Sequence, residues 1–320
     1  MAIPDAKEKW SDSVGTVTIG ATSSEGGTRG STVTIGGQSG IPFLGFDGEM
    51  PHPAAIAIDV LDIEPVGWSE PLKEVYGDVW SDPAAWAKRA KELGAELINL
   101  RLLSAHPDEK DSSPEQAVET VKAVLEAVDL PLIIWGCDLP EKDQQLMPKV
   151  AEAAGGENCL LGAVTETDYR TLVAAAQAYG HKVISLAPCD INKQKQVNIL
   201  VCDTGYPLEN LVIYPTTASL GYGMEYVYSI LERGRLAALS GDRIMARPVF
   251  LDVGYETWRS KEARSDEELD KVWGKGADRG PAWEAITATN LLQGGADLLA
   301  MRHPKAIEVV RQTMSELIGS

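Results

Sequence analysis

From residue 54 onward the chain alternates short, nearly continuous apolar runs with stretches of helical period. The runs are AAIAIDVLD, ELINLRLL, LPLIIWGC, CLLGAVT, HKVISLAP, LVIYPTT, RPVFLDVG and ADLLAMR, starting at Ala54, Glu96, Leu130, Cys159, His181, Leu211, Arg247 and Ala296. Runs of this kind, rich in Val, Leu and Ile, suit strands covered on both faces, as in a parallel sheet packed under helices. In the last helical stretch Ile307, Val310, Met314 and Leu317 recur at spacings of three and four and form one apolar stripe. Eight such pairs predict a closed (β/α)8 TIM barrel over residues 54–320, with an open doubly wound sheet as the alternative. Residues 1–53 follow a different pattern. TVTIG occurs at Thr16–Gly20 and again at Thr32–Gly36, joined by the turn-forming ATSSEGGTRGS, which predicts an N-terminal β-hairpin extension.

Loop lengths indicate which end of the barrel is used. Helix-to-strand links such as GAE, GGEN and GH are minimal, whereas the first and seventh strand-to-helix links, near residues 63–82 and 255–280, are long. They carry Trp68, Tyr76, Trp80, Tyr255, Trp258 and Trp273. Large aromatics in long loops at the carboxyl end of barrel strands suit a partner interface or a ligand lid. On that reading Trp68, Trp80, Tyr255, Trp258 and Trp273 face a partner; the alternative is that the indoles pin the loops to their own barrel.

Charge and chemistry narrow the picture. Across 320 residues, 29 Lys plus Arg stand against 47 Asp plus Glu, a formal net charge of −18 that opposes nucleic-acid and anionic-lipid partners. The opening MAIPDAKEKWSDS has neither the basic segment nor the apolar run of a signal peptide, and no apolar run approaches a membrane span, so a cytoplasmic protein is expected. Cys137, Cys159, Cys189 and Cys202 contain no C-x-x-C spacing, so no metal or iron–sulfur site can be written from them.

No nucleophile-elbow, H-E-x-x-H or P-loop motif occurs, and His52, His106, His181 and His303 fall in unrelated segments. Lys182 opens its strand at the wrong end for Schiff-base chemistry. Polar residues do gather at strand ends: Asp62, Ser104, Asp138, Thr165, Glu166, Asp190, Asn192, Thr216, Thr217, Tyr255, Glu256 and Arg302. This mixture of amides, hydroxyls and acids suits a neutral, amide-rich or heterocyclic ligand better than a phosphate. Asp190 also reads as a helix cap, and His303 as a cap or loop-packing residue. After the sixth run, PTTASLGYGMEYVYSILER forms a glycine-rich turn in which Gly221 and Gly223 permit close approach, Tyr222 and Tyr226 offer flat surface, and Glu225 opposes an anion.

Four stretches, GGTRGSTVTIGG at Gly26, PCDINKQKQVNIL at Pro188, SLGYGMEYVYSILERGRLAALSGD at Ser219 and MRHPKAIEVV at Met301, carry a resemblance. With the eight-unit layout they resemble the small-subunit family of the corrinoid iron–sulfur protein, the methyl carrier of the Wood–Ljungdahl (acetyl-CoA) pathway, similar also to the delta subunit of archaeal acetyl-CoA decarbonylase/synthase. The resemblance implies a heterodimer in which the large subunit alone holds the iron–sulfur cluster and binds most of the corrinoid (cobalamin), while this barrel helps enclose it. It also implies a methyltetrahydrofolate:corrinoid methyltransferase and acetyl-CoA synthase as partners, and no autonomous catalytic activity or catalytic residue in this chain. On this reading the corrinoid-facing residues are Asp190, Asn192, Thr216, Gly221, Tyr222, Gly223, Arg302 and His303. Related pterin-binding methyltransferase barrels usually place an Asp near the end of strand six, where this chain has Tyr214 and Pro215. A free-standing pterin-dependent methyltransferase is the alternative.

Overall fold

Each apolar run forms a strand in the computed structural model, which describes residues 8–217, 223–265 and 271–319. After the hairpin strands β1 (Thr16–Ile19) and β2 (Val33–Gly36) come β3 (Ala55–Leu61), β4 (Leu97–Arg101), β5 (Leu132–Trp135), β6 (Leu160–Val164) and β7 (Lys182–Leu186). β8 (Leu211–Tyr214), β9 (Phe250–Asp252) and β10 (Leu298–Met301) complete the sheet. Among the described residues these last eight strands pair in parallel in the order β8-β7-β6-β5-β4-β3-β10-β9. The two edges meet through one parallel bridge, Ile213 to Val249, where the Ile213 N–H donates to the Pro248 carbonyl at 2.9 Å. Strand order follows chain order around the ring without reversing, so the sheet is a nearly closed barrel and not a doubly wound sheet.

The helices begin where the sequence supplies caps. In α2 (Pro83–Glu92) Asp82 accepts the Ala84 and Ala85 N–H groups, and in α3 (Pro114–Ala127) Ser113 and Gln116 form a capping box with Pro at the first turn. The long first link is less irregular than its polar composition suggests, since it holds α1 (Glu70–Tyr76), whose Leu72 and Tyr76 lie one turn apart and are both buried. Between α3 and the seventh strand lie α4 (Pro140–Ala153), α5 (Arg170–Tyr179), α6 (Ile191–Cys202) and α7 (Met224–Leu239). The short α8 (Val253–Thr257) and α9 (Lys261–Arg264) follow β9, then α10 (Gly276–Gly294) and α11 (Pro304–Ile318). In α11 Ile307, Val310 and Met314 are buried, as the stripe predicts.

The hairpin plugs the amino end of the barrel. Val17, Ile19 and Ile35 belong to the same buried cluster as the barrel strands. Arg29 is buried and donates to the Glu157 carboxylate at 2.7 Å and to the carbonyls of Leu125 and Val128 at 2.8 and 2.7 Å. Asn158 donates from Nδ2 to the carbonyls of Thr18 and Gly20, and Gln38 donates to Asp297 at 2.6 Å. Glu157, Asn158 and Asp297 directly precede β6 and β10, so these contacts stitch the hairpin to the end opposite the strand carboxyl termini. Gly36 makes the fit possible: at φ 87° a Cβ there would lie 2.2 Å from the Gly15 carbonyl oxygen.

Candidate functional site

At the carboxyl end of the strands the barrel interior changes from apolar to charged. Asp59 of β3 and Asn99 of β4 are register neighbours, and Asn99 donates to Asp59 at 2.6 Å while accepting from the Trp135 indole at 2.7 Å. Arg302, just past β10, donates from Nε to the other Asp59 oxygen at 2.7 Å. Arg101 pairs with Asp252 of β9 and lies 3.7 Å from Asp59. All five polar residues are buried. Two carboxylates thus face two guanidiniums, and the charges balance within the barrel.

Aromatic rings close the lattice from above. The Arg101 guanidinium lies 5.1 Å from the Trp135 ring and 4.8 Å from that of Tyr255, and the Arg302 guanidinium lies 4.7 Å from Trp68. Burial pushes the Asp252 carboxyl up to about 6 even with Arg101 beside it. Burial opposes the Arg101 cation, but Asp252 and Asp59 outweigh it and hold the guanidinium charged. Below the mouth, Tyr214 packs edge-on against Trp135 and Phe250 with ring centroids 6.1 and 5.3 Å apart, filling the interior at strand six.

A second buried hub fixes the turn after β10. Glu284 of α10 accepts from the Trp258 indole at 2.9 Å and from the backbone N–H groups of Arg302 and His303 at 2.6 and 3.0 Å. Burial lifts its carboxyl to about 7 despite these bonds. His303 stacks on Trp258 with ring centroids 6.0 Å apart, accepts the Lys305 N–H, and is pushed down to about 4 by burial and the Lys305 charge. It is a neutral helix cap at physiological pH.

The residues expected to face a corrinoid divide by what they do. Asp190 caps α6 by accepting the N–H groups of Asn192 and Lys193, and Asn192 stands in the first turn of that helix. Thr216 is buried with φ 95°, Gly223 precedes α7 with φ 91°, and Arg302 and His303 hold the positions just described. A side chain at Gly223 would meet the Glu225 carboxylate at 2.5 Å in a backbone conformation that favours glycine. Gly221 and Tyr222 lie outside the described residues. Of the other strand-end polar residues, Asp62 and Ser104 come together, Ser104 donating both its N–H and its hydroxyl to the carboxylate, while Glu166 accepts from Gln196.

The long links place their aromatics in two settings. Trp68, Tyr76, Trp80 and Trp86 form one cluster of tilted and edge-on rings, with Trp80 and Trp86 centroids 5.1 Å apart, and the Tyr76 hydroxyl donates to the Arg302 carbonyl. This cluster binds the first link to α2 and to the end of β10. Trp258 is only 4% exposed, whereas Tyr255 is half-buried. Trp273 is 45% exposed and stacks on Trp283 beside Val272 and Ile286, which are 83% and 62% exposed. Together they edge an apolar groove between the seventh link and α10.

Sequence reasoning looked for chemistry just past the apolar runs and passed over Asp59 and Asn99, inside their strands, and Arg101 and Asp252, the last residues of β4 and β9. Their signal was present: each interrupts an otherwise apolar run. Among the described residues no group of three or more His, Cys, Asp and Glu is placed to hold a metal ion, and no helix is long and apolar enough to cross a membrane.

Comparison with known proteins adds a family. Residues 16–310 match the family model described as the CO dehydrogenase/acetyl-CoA synthase delta subunit. The chain is 38% identical over 318 residues to acetyl-CoA decarbonylase/synthase complex subunit delta 1 of Methanosarcina thermophila, covering 98% of this chain and 72% of that one. It is 39% identical over 319 residues to the delta subunit of Archaeoglobus fulgidus, covering 98% and 70%. In fold it resembles dihydropteroate synthase of Xanthomonas albilineans in complex with 7,8-dihydropteroate, with a TM-score of 0.55 at 16% identity over 83% of this chain and 92% of that one. Dihydropteroate synthase of Thermus thermophilus gives 0.54 at 14% over 82% and 93%.

Proposed function

Because this chain belongs to the CO dehydrogenase/acetyl-CoA synthase delta subunit family, we propose that it is the non-catalytic small subunit of a corrinoid iron–sulfur protein. Its large partner holds the iron–sulfur cluster and most of the corrinoid. The observation that carries this reading is the barrel mouth, where Asp59, Arg101, Asp252 and Arg302 are buried and engaged with one another. Enzymes of this fold carry their acids and bases at that end; these four serve the barrel itself.

Asp190 Oδ1 and His303 Nδ1 accept helix N–H groups, and Arg302 Nε donates to Asp59, so these atoms serve the barrel. They suit a wall. A corrinoid held by the large subunit supplies the methyl-transfer chemistry, while the Tyr255 ring, the Asn192 amide and the backbone at Thr216 and Gly223 exclude water and orient it. Methyl groups arrive from methyltetrahydrofolate through a separate methyltransferase and leave to acetyl-CoA synthase.

One dihydropteroate synthase of similar fold is in complex with 7,8-dihydropteroate. In this chain Tyr214 packs against Trp135 and Phe250 at strand six, where related pterin-binding methyltransferase barrels usually place an Asp.

Co-expressed with its large subunit, the chain should sediment as a 1:1 heterodimer burying more than about 1,600 Å²; a 34.4 kDa species at micromolar concentration would sink the proposal. The exposed Trp273 is the interface residue with the most surface to lose. Trp273→Glu should raise the dissociation constant about tenfold or more, as for an aromatic anchor, with the melting temperature of the isolated chain unchanged. Calorimetric titration measures it, and unchanged affinity removes Trp273 from the interface.

A further inference from the structure

The barrel closes at its weakest point between β8 and β9, and behind that seam lies a cavity of about 20 Å³. Its lining comes from several elements: Gln194 of α6, Arg235 of α7, Arg247 on the approach to β9, Ile213 and Pro215 at β8, and Gly295 after α10. Three polar atoms of these residues are buried without a hydrogen-bond partner: Gln194 Oε1, Arg235 Nη1 and Arg247 Nε. Gln194 is fully buried and Arg235 is 6% exposed. Three orphaned groups on three separate segments whose residues line one small cavity call for partners there.

We propose that the seam holds one ordered water molecule, bound by Gln194, Arg235 and Arg247. Size sets the first limit, because the space takes about one water and no carboxylate or phosphate. Chemistry sets the second. The Gln194 amide is fixed by its nitrogen, which donates to the Ser185 carbonyl and hydroxyl at 3.1 and 2.8 Å and to Asn198 Oδ1 at 3.1 Å. Its oxygen must therefore accept, and an anion cannot donate to it. The two guanidiniums can only donate, which rejects a cation. Water does both: it donates to Gln194 and accepts from Arg235 and Arg247.

Each arginine is already anchored elsewhere. Arg235 donates to the Gly295 carbonyl at 3.0 Å and lies 3.7 Å from Asp297, and Arg247 makes a long 3.4 Å bond to the Leu208 carbonyl. The water thus joins α6, α7 and the approach to β9 across a seam that the sheet itself closes with a single bridge.

Crystals of the full chain, grown in parallel with sodium bromide replacing chloride and measured finely enough to show ordered water, test this. The expected result is one density peak about 2.7–3.2 Å from all three atoms, with no anomalous bromide signal. A cavity without density, a peak bound by only one of the three groups, or an anomalous peak at that point overturns it.

Discussion

Arg101→Ala is expected to lower the stability of the isolated chain by about 3–5 kcal/mol at pH 7.5, because it removes one partner of a buried charge pair and leaves the other behind. Asp252 loses its closest cation and Asp59 one of two. The loss carries a pH signature. The folded Asp252 carboxyl is already raised to about 6, so its contribution is fully present below the unfolded value near 4 and is lost as pH rises through about 6. Without Arg101 the folded value climbs further, and more stability disappears between pH 5 and 7.5. Denaturant unfolding of both proteins at the two pH values should show a larger difference at the higher one. A difference below about 1 kcal/mol, or one independent of pH, would mean that the lattice relaxes around the missing cation.

The second large effect lies at the other end of the barrel. Arg29→Met keeps much of the side-chain volume but strands the buried Glu157 carboxylate and the carbonyls of Leu125 and Val128. A loss of about 3–5 kcal/mol follows, or a drop of about 5 °C or more in melting temperature for a chain of this length. Since the hairpin sits opposite the proposed interface, affinity for the large subunit should stay at the wild-type value below the melting transition. Sedimentation and melting of one preparation check both halves. Weakened assembly of a fully folded variant would show that the two ends are coupled.

These two arginines also show what could be read in advance. The barrel was legible because strands buried on both faces need unbroken apolar runs, and eight such runs are visible by eye. The hairpin was legible from its repeated TVTIG. The caps at Asp190 and His303 were visible as alternatives, since Asp before a helical stretch and a polar residue before Pro304 are ordinary helix starts. Arg29 stood inside the quoted stretch GGTRGSTVTIGG, yet its role depends on carbonyls about a hundred residues away, which local pattern does not reveal. Arg101 and Asp252 are likewise 151 residues apart. Each was visible as a charge within an apolar run, but only closure of the barrel brings them together. The tryptophans were ambiguous for a related reason: residue type marks an indole as an anchor without saying whether its socket belongs to the same chain. Trp258 has its socket in Glu284 and His303, and Trp273 remains exposed.

The N-terminal plug has a consequence for synthesis on the ribosome. Gln38 finds its partner, Asp297, 259 residues later in the chain. At about 5–20 residues per second, roughly 13–50 s separate translation of the hairpin from translation of the residue that latches it. Until the barrel segments they pack on are made, Val17, Ile19 and Ile35, which end in the core, stay uncovered. A nascent two-stranded ribbon is marginally stable alone and exposes unpaired edges. The hairpin is therefore made well before the residue that latches it, and chaperone demand during translation should concentrate on residues 15–38.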